Sequence, residues 1–515
     1  MSTPVTPVMD PATTLDEPPR EPRRFGAVLA LARFETRELF LQIPILFFLV
    51  LYIGLAAWGL LNGEDGMADY PILHRTDRDT QPGPLLTAIA LLVCVNAAAL
   101  RARKNGTVHQ FDVLAMEPWR RTVAHVLSVV PFVVLTALVV TVEFTGQALK
   151  PGAIGHGSIG ELAVGPLTVL LAGVVGVLLA RLVPSPFAPM LFVVAAYLLV
   201  MVASSVEAEG VWVGRLSPVL FSENSGGDPV PSDLLGRPAA WHAIYLVGLC
   251  ALVICSALLL SGGRTLGVKV ATALAVATTA AGAIGQIPQD TAALEAARET
   301  ASTAPQKVQS CTTIDGSTYC SFPEWTVVRD DWAEVVARVR SAAGGTAADA
   351  RLTVRQRIDT SGGIEVDSTL TPSDTPGEVT VGTRWGGNRV PEFAVGAATV
   401  LVTGTEDDGE GMCDARPVTI MWLVLGTDPT PWATFRTLRL DDSTSGSGVV
   451  LSPTNPLSLS EEQTAVVSEL LSRPRAEVTA KVKAHWAELT SPHTSTAQAA
   501  KLLGVAVPEG AEPCE

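Results

Sequence analysis

The chain reads AAWHAIYLVGLCALVICSALLLSGGRTLGVKVATALAVATTAAGAIGQ over residues 239–286. Two apolar runs, 239–261 and 265–286, are joined there by a tight turn that contains Arg264. A run of about 20 apolar residues matches the roughly 30 Å hydrocarbon core of a bilayer, because an α-helix rises about 1.5 Å per residue. The stretch therefore predicts a hairpin of two membrane-spanning helices.

Apolar runs of the same kind precede this hairpin. They predict five further spans, at 39–61, 85–100, 123–146, 164–183 and 187–205. One such run is compatible with the core of a soluble protein, but a series indicates a polytopic bundle. Only 17% of the residues are charged, whereas soluble domains have about 25%. The predicted fold class is a membrane all-α bundle of six to seven spans over 39–286, followed by a soluble α+β domain.

The run 265–286 is the weakest of the seven, because alanine, glycine and threonine dominate it. Small residues favour close helix packing, so we expect this helix to pack inside the bundle rather than face lipid. It also decides the topology. Without this span, the C-terminal region would lie in the cytoplasm.

The N-terminal region is rich in proline, and residues 1–24 are predicted to be a disordered cytoplasmic tail. Residues 25–38, FGAVLALARFETRE, have an amphipathic pattern. They predict either a helix that lies along the inner membrane interface or a simple cytoplasmic extension of the first span.

Basic residues in the short connections predict the orientation. The segments on one side of the predicted spans contain thirteen, among them Arg120 and Arg121, whereas the opposite segments contain five. Cytoplasmic loops are enriched in Lys and Arg. We therefore expect a multi-pass protein of the cell membrane with a cytoplasmic N-terminus and an extracytoplasmic C-terminal domain.

The cysteines of the C-terminal region give an independent indication of its compartment. There are four of them: Cys311, Cys320, Cys413 and Cys514. An even number predicts two disulfides in an oxidising compartment, and the turn signal Asp315-Gly316 would bring Cys311 and Cys320 together. The alternative is four free, buried thiols in a cytosolic domain. Zinc is disfavoured because no CxxC pair or histidine cluster accompanies them.

The pattern after the last span predicts a helical or flexible stalk at 287–310 and an extracytoplasmic α+β domain at 311–515. Asp331 is a candidate N-cap for a helix at 332–342, and Ser460 with Gln463 for a capping box. Strands are predicted at 351–358, 364–370, 378–385 and 417–425, and later helices at 460–472, 475–489 and 495–503. The acidic run Glu406, Asp407, Asp408 and Glu410 is interpreted as a solvated loop rather than a cation site.

Catalytic motifs are missing from the sequence. It has no HExxH, no GxSxG and no Gly-Lys pair, hence no P-loop. We therefore predict that the chain is not an enzyme and has no catalytic, metal-binding or cofactor-binding residues. The net charge of −15 argues against nucleic acid as a partner. Glu143 is the one acidic residue inside a predicted span, and it has either an ion or substrate role or, as we favour, an interfacial position.

The predicted inner loop 101–122, RARKNGTVHQFDVLAMEPWRRT, is longer than a connection requires. It has basic ends and apolar residues at its centre. Such a segment predicts a helix that docks into a groove on a soluble partner. The alternative is a helix packed on the membrane surface or on its own bundle.

The order RFETRE, first span, outer loop, second span and RxRKNGT…PWRRT resembles permease subunits of type-2 ABC transporters. Those permeases often have a Gly-Thr…Pro…Arg-Arg segment where they couple to the ATPase. Gly106, Thr107, Pro118, Arg120 and Arg121 match it, and the resemblance covers about residues 25–261. The chain departs from the six-span core of the family by its seventh span and its C-terminal outer domain, an arrangement similar to certain actinobacterial permeases.

The resemblance implies a permease that moves an unidentified substrate, by export, with ATP hydrolysed by a separate ABC-type ATP-binding subunit docked on 105–121. It implies a second permease copy in a homo- or heterodimer within the lipid bilayer. The implied ATPase-coupling residues are Gly106, Thr107, Phe111, Leu114, Pro118, Trp119, Arg120 and Arg121. The alternatives are a membrane-anchored extracytoplasmic binding or sensing protein and a membrane-bound extracellular enzyme.

Overall fold

The computed structural model describes most of the chain. The described ranges are 24–63, 67–106, 116–208, 216–218, 228–236, 239–287, 291–364, 370–406 and 411–506. A helical bundle occupies the first half of these residues, and a mixed domain of helices and strands occupies the second half.

The bundle begins with helix α1 (Arg24–Phe40). Its further helices are α2 (Ile43–Asn62), α3 (Leu73–Asp79), α4 (Leu85–Lys104), α5 (Pro118–Leu127), α6 (Val130–Ala148), α7 (Ile159–Leu182), α8 (Ala188–Ala208), α9 (Ala239–Leu260) and α10 (Leu266–Gly285). Among the described residues, six segments are long and apolar enough to cross a membrane: α2, α4, α5 with α6, α7, α9 and α10. They indicate a multi-pass membrane protein. Helix α8 coincides with the predicted run 187–205, and its apolar part Ala188–Val202 is shorter.

The first span begins later than residue 39. Helix α1 ends at Phe40, and α2 begins at Ile43 with Gln42 as its N-cap and a proline in its first turn. Proline is accepted there because the first turn of a helix needs no N–H donor, whereas inside a helix its ring clashes with the preceding turn. The amphipathic segment 25–38 is therefore a separate helix rather than an extension of the first span.

The third span is the longest. Helices α5 and α6 together cover 31 residues, Pro118–Ala148. At about 1.5 Å per residue, this segment is roughly 46 Å long, which exceeds the hydrocarbon thickness of about 30 Å. The segment is therefore either tilted in the apolar layer or extended beyond it at one end.

The prediction that the last span packs inside the bundle was wrong. Only 11% of the span α10 is buried. Its small residues serve close contacts with one helix, α9, since a Cβ on Gly282 would clash with the backbone nitrogen of Tyr245 and a Cβ on Gly248 of α9 would clash with that of Thr279. Glycines permit such an approach on one face without requiring that the other faces be covered.

The C-terminal domain begins with α11 (Ala292–Thr303), the strands β1 (Ser310–Ile314) and β2 (Ser317–Ser321) and helix α12 (Arg329–Ala342). It continues with β3 (Thr353–Gln356), β4 (Glu378–Val381), α13 (Arg389–Thr403), α14 (Arg416–Leu425), α15 (Pro431–Leu438), β5 (Gly448–Val450), β6 (Leu457–Leu459), α16 (Glu461–Leu471), α17 (Arg475–Ala484), α18 (Trp486–Leu489) and α19 (Thr496–Leu503). The main sheet has the order β1-β2-β3-β4, and β5 pairs with β6. β1 and β2 are antiparallel, whereas β2–β3 and β3–β4 are parallel.

The predicted hairpin and its disulfide are present. Cys311 faces Cys320 across β1 and β2, and their sulfurs are bonded. The turn places Asp315 at φ 47° and Gly316 at φ 83°. These positive values suit a tight hairpin turn, which Asp-Gly favours. Cys413 is also in a disulfide, whereas Cys514 lies outside the described residues.

Removing this disulfide should weaken the C-terminal domain. The Cys311→Ala/Cys320→Ala variant removes a crosslink between two residues that are nine positions apart in the sequence. We expect its free energy of unfolding to fall by about 2–3 kcal/mol, since the crosslink restricts the unfolded state. Denaturant unfolding of the purified chain measures this loss, and an unchanged midpoint would contradict the expectation.

The predicted strand at 417–425 is wrong, because this segment forms helix α14. Every residue from Pro417 to Leu425 is buried. A segment enclosed on all sides has no polar face, so its apolar run does not distinguish a strand from a helix. Pro417 lies in the first turn of the helix, where proline is favoured.

Other boundaries also differ from the predicted ones. Helix α12 begins at Arg329 after Val328, so Asp331 lies in its first turn and is not its N-cap. The region 475–489 is interrupted at His485 between α17 and α18. The capping box of Ser460 and Gln463 is confirmed. Most of the predicted strand 364–370 lies outside the described residues.

Helix α11, which lies within the predicted stalk, packs against the rest of the protein. The Arg298 guanidinium donates to the carbonyl oxygens of Leu234 at 2.8 Å and Leu235 at 3.2 Å. Ala301 is buried in the core of the C-terminal domain. The segment that leaves α10 is thereby attached to both halves of the protein.

Candidate functional site

The described bundle has two ends with different surroundings. At one end, the connections 67–84, 149–158 and 228–236 contact the C-terminal domain. At the other end lie α1, the C-terminal turn of α4, the start of α5 and the turn between α9 and α10. The predicted coupling residues that the structure describes belong to this second end, which we call the α1–α5 surface.

Helix α1 packs along α5. Val28 and Ala32 of α1 form a small buried cluster with Ala124 of α5. The other faces of α1 are open, and Leu29 and Phe34 are 47% and 51% exposed. This division explains the amphipathic pattern of the segment, because one apolar stripe is covered by α5 and the remaining apolar side chains are not.

Arg101, at the end of α4, attaches α1 to the bundle. Its guanidinium lies 3.5 Å from the Glu35 carboxylate and 3.9 Å from that of Glu38. It also lies 6.0 Å from the centroid of the Phe34 ring. Burial raises the pKa of Glu35, and the charge of Arg101 opposes this rise. The ion pair therefore holds a buried carboxylate where α1 crosses the end of α4.

The first turn of α5 is held by local contacts of Glu117. The Trp119 indole donates to its carboxylate at 2.7 Å, and the Arg120 guanidinium lies 2.9 Å from it. Arg120 also lies 5.2 Å from the centroid of the Trp119 ring. These contacts organise a basic and aromatic turn beyond the long apolar part of the third span.

The same turn contacts the connection between α9 and α10. The Thr122 and Ser261 hydroxyls are 2.7 Å apart. A Cβ on Gly263 would lie 3.1 Å from the Cβ of Trp119. These contacts therefore connect α1, α4, α5, α9 and α10 at this end of the bundle.

The structure brings together the predicted coupling residues that it describes. Pro118, Trp119, Arg120 and Arg121 form the first turn of α5. Gly106 follows α4 with φ 68°, and a Cβ at this glycine would meet no atom within 4 Å. The other three predicted residues, Thr107, Phe111 and Leu114, lie outside the described residues.

The opposite end contains a junction that the sequence did not predict. Glu324 of the C-terminal domain is contacted by all three connections. His74 and His156 place a ring nitrogen 3.6 Å and 3.7 Å from its carboxylate. Ser232 donates its backbone N–H at 3.3 Å and its hydroxyl to the same carboxylate. These residues are far apart in sequence and belong to no motif.

Apolar contacts extend this junction. Ile72 pairs with Ile154, and both are buried in the core of the C-terminal domain together with Leu234. The Tyr70 ring meets the buried Trp385 edge-on, with centroids 6.4 Å apart. The C-terminal domain thus takes part of its core from the connections of the bundle, and the two are not separate units on a flexible tether.

His74 gives this junction a pH dependence. Burial, with the charge of Arg78 adding to it, lowers its pKa to about 3. The ordinary pKa of histidine is about 6.5, so the unfolded chain binds a proton that the folded chain excludes between these two values. The stability that neutral His74 contributes is therefore fully present above about pH 6.5, and it is lost progressively as the pH falls toward 3.

We expect the His74→Gln variant to lose part of this pH dependence. The unfolding temperature of the purified chain should fall between pH 7.5 and pH 5, and it should fall less in the variant. His156→Gln is the matched control, because the side chain of His156 is 73% exposed. An equal fall in the His74→Gln variant and the parent chain would contradict this role of His74.

The described residues contain no group of three or more histidine, cysteine or acidic side chains arranged to bind a metal ion. The two ends described above are built from paired charges and aromatic rings. The α1–α5 surface is basic and aromatic, whereas the opposite end is an interface between the bundle and the C-terminal domain. No family model, no curated protein and no solved structure matches this chain.

Proposed function

We propose that the chain is the membrane-spanning permease subunit of an ABC transporter, and that a separate ATP-binding subunit docks on the α1–α5 surface. The observation that supports this proposal most is the position of Trp119, Arg120 and Arg121. They lie with α1 at the end of the bundle opposite the C-terminal domain. An aromatic and basic turn next to an amphipathic helix suits docking on a soluble partner.

The proposed orientation follows from the same arrangement. The basic α1–α5 surface faces the cytoplasm, where ATP is available, and the C-terminal domain faces the exterior. A disulfide such as Cys311–Cys320 persists in an oxidising compartment, which agrees with this side for the domain. A second permease copy completes the transporter, and its substrate is exported.

The contacts suggest how movement of the ATPase would reach the outer end. Arg101 joins α1 to α4, and Thr122 joins α5 to the turn before α10. The connections at the far end enter the core of the C-terminal domain through Ile72 and Ile154. A displacement of the α1–α5 surface would therefore move the spans and the outer domain together.

Purification of the full chain from its native membranes in mild detergent tests this function. We expect an ATPase with a P-loop to copurify in a stoichiometric amount, and the complex to hydrolyse ATP. A preparation that is intact and folded but lacks an ATPase at every detergent concentration would contradict the proposal.

A further inference from the structure

A cavity of about 450 Å³ opens where α2, α3 and α6 meet the C-terminal domain. Its described lining includes Glu143 and Gln147 from α6, Arg75 and Asp79 from α3, and Arg384 from the C-terminal domain. Cavities of about 300–1,000 Å³ are typical of small-molecule sites. This one lies at the outer end of the third span, away from the α1–α5 surface.

Two hydrogen-bond acceptors in this cavity have no partner in the described structure. They are Oε2 of Glu143 and Oε1 of Gln147, both buried. The amide nitrogen of Gln147 is engaged, since it donates to the carbonyl oxygen of Gly59 at 3.4 Å. A buried acceptor without a donor is unfavourable, because it has lost its hydrogen bonds to water. The arrangement therefore favours a ligand that brings donors.

Glu161, at the start of the next span, is a useful comparison. Its carboxylate accepts a hydrogen bond from the Gln81 amide at 2.5 Å and lies 3.8 Å from the Arg78 guanidinium. That carboxylate is satisfied by the protein itself. Glu143 also lies near the end of a span, but it lines the cavity and its buried Oε2 has no donor among the described residues.

The remaining charges define what else the ligand must have. Asp79 adds a second carboxylate to the lining, whereas Arg75 and Arg384 add two guanidinium groups. Arg384 is paired with Asp228 at 3.0 Å, so part of its charge is already balanced. A cavity with both signs of charge suits a molecule that also has both signs.

We propose that this cavity binds a small zwitterionic molecule, with its protonated amine on Glu143 and Gln147 and its acidic group toward the guanidinium groups of Arg75 and Arg384. An ammonium group has three donors and no acceptor, which complements the two unpartnered oxygens. The volume is far larger than a bare cation requires, and apolar side chains such as Met67 and Ile72 complete the lining. The proposal does not depend on transport or on an ATPase.

Two sources have this chemistry at the outer end of a membrane span. One is the phosphoethanolamine headgroup of a lipid, and the other is a soluble compound with an amine and an acid. The full chain is therefore reconstituted in nanodiscs that contain only phosphatidylcholine and titrated with O-phosphoethanolamine by calorimetry. A second set of nanodiscs contains phosphatidylethanolamine, and native mass spectrometry measures its retention on the protein.

The Glu143→Gln variant tests the proposed contact, and Glu295→Gln is the matched control. Glu295 is an exposed residue of α11 outside the lining of the cavity. We expect Glu143→Gln to weaken binding of O-phosphoethanolamine, or retention of phosphatidylethanolamine, at least tenfold, and Glu295→Gln to have no effect. Thermal unfolding verifies that each variant is folded, and Gln147→Leu serves as a second probe of the same contact.

Binding of the soluble probe supports a soluble ligand, and retention of the lipid alone supports the headgroup; both support the cavity as a zwitterion site. If the folded parent chain neither binds the soluble probe nor retains the lipid, the proposal is overturned. Binding that is equal in the parent chain, Glu143→Gln and Gln147→Leu overturns it as well. ATPase copurification is not involved in any arm, so these results are separate from the test of the proposed function.

Discussion

Reversing the charges of Arg120 and Arg121 to glutamate is expected to abolish copurification of the ATP-binding subunit. Arg120 lies over the Trp119 ring and beside Glu117, so glutamate at this position breaks both contacts and repels Glu117. Two reversed charges on the proposed docking surface would change its contacts with the partner. They would also change the electrostatic attraction that guides the partner to it. We expect the amount of bound ATPase to fall by more than about tenfold, equivalent to at least about 1.4 kcal/mol.

The matched control is a second double reversal at the opposite end. Arg475 and Lys483 are exposed residues of α17 in the C-terminal domain. The Arg475→Glu/Lys483→Glu variant has the same change in net charge and should retain the ATPase. If the Arg120→Glu/Arg121→Glu variant is folded and retains the ATPase at the level of this control, the docking site is elsewhere.

Substitution of Arg439 by methionine is expected to destabilise the C-terminal domain by at least about 2 kcal/mol, because several acceptors lose their donor and each buried one left unpaired costs about 1–3 kcal/mol. The side chain of Arg439 is fully buried, and it forms a paired contact with Asp441 at 2.9 Å. It also donates to the Thr464 hydroxyl and to the carbonyl oxygens of Ser445, Gly446 and Ser447. One guanidinium therefore closes the loop before β5 onto α16.

Denaturant unfolding of the purified chain, followed by tryptophan fluorescence, measures this effect. Arg436→Met is the control, because Arg436 is an exposed residue of α15, the helix that ends just before Arg439, and surface substitutions usually change stability by less than about 0.5 kcal/mol. A loss below about 1 kcal/mol for Arg439→Met would mean that the loop carbonyls find other donors, and that Arg439 does not hold this loop in place.

Local patterns predicted the parts of the fold that depend on local physics. The apolar runs located the helices of the bundle, since a span must be continuous and apolar to cross the bilayer. Asp315-Gly316 predicted the hairpin that joins Cys311 to Cys320. Ser460 and Gln463 predicted the start of α16, because the capping box is formed by residues within one turn.

Contacts between distant segments could not be predicted in this way. Glu406 was interpreted as part of a solvated acidic loop, but it is buried and accepts hydrogen bonds from Thr380 at 2.5 Å and 2.7 Å and from Ser373 at 2.9 Å. Burial raises its pKa, and these hydrogen bonds oppose the rise. Its neighbours Asp407 and Asp408 lie outside the described residues.

The candidate sites show the same limit. The sequence placed Trp119, Arg120 and Arg121 on a predicted inner loop, which was enough to predict a docking segment. It had no signal for Glu324, whose partners His74, His156 and Ser232 come from three separate connections. Nor did it indicate that Glu143 lines a cavity with Arg384 of the C-terminal domain, because that juxtaposition depends on the tertiary fold.

We propose that the α1–α5 surface and the C-terminal domain face opposite sides of the membrane, with α1 in the cytoplasm. Labelling of single cysteines with a membrane-impermeant maleimide in sealed spheroplasts tests it most directly, in a chain whose free cysteines Cys94, Cys250 and Cys255 are replaced by alanine. Ser341→Cys in the C-terminal domain should be labelled at once, and Phe25→Cys in α1 only after the spheroplasts are permeabilised. Labelling of Phe25→Cys in sealed spheroplasts, or protection of Ser341→Cys, would contradict this topology.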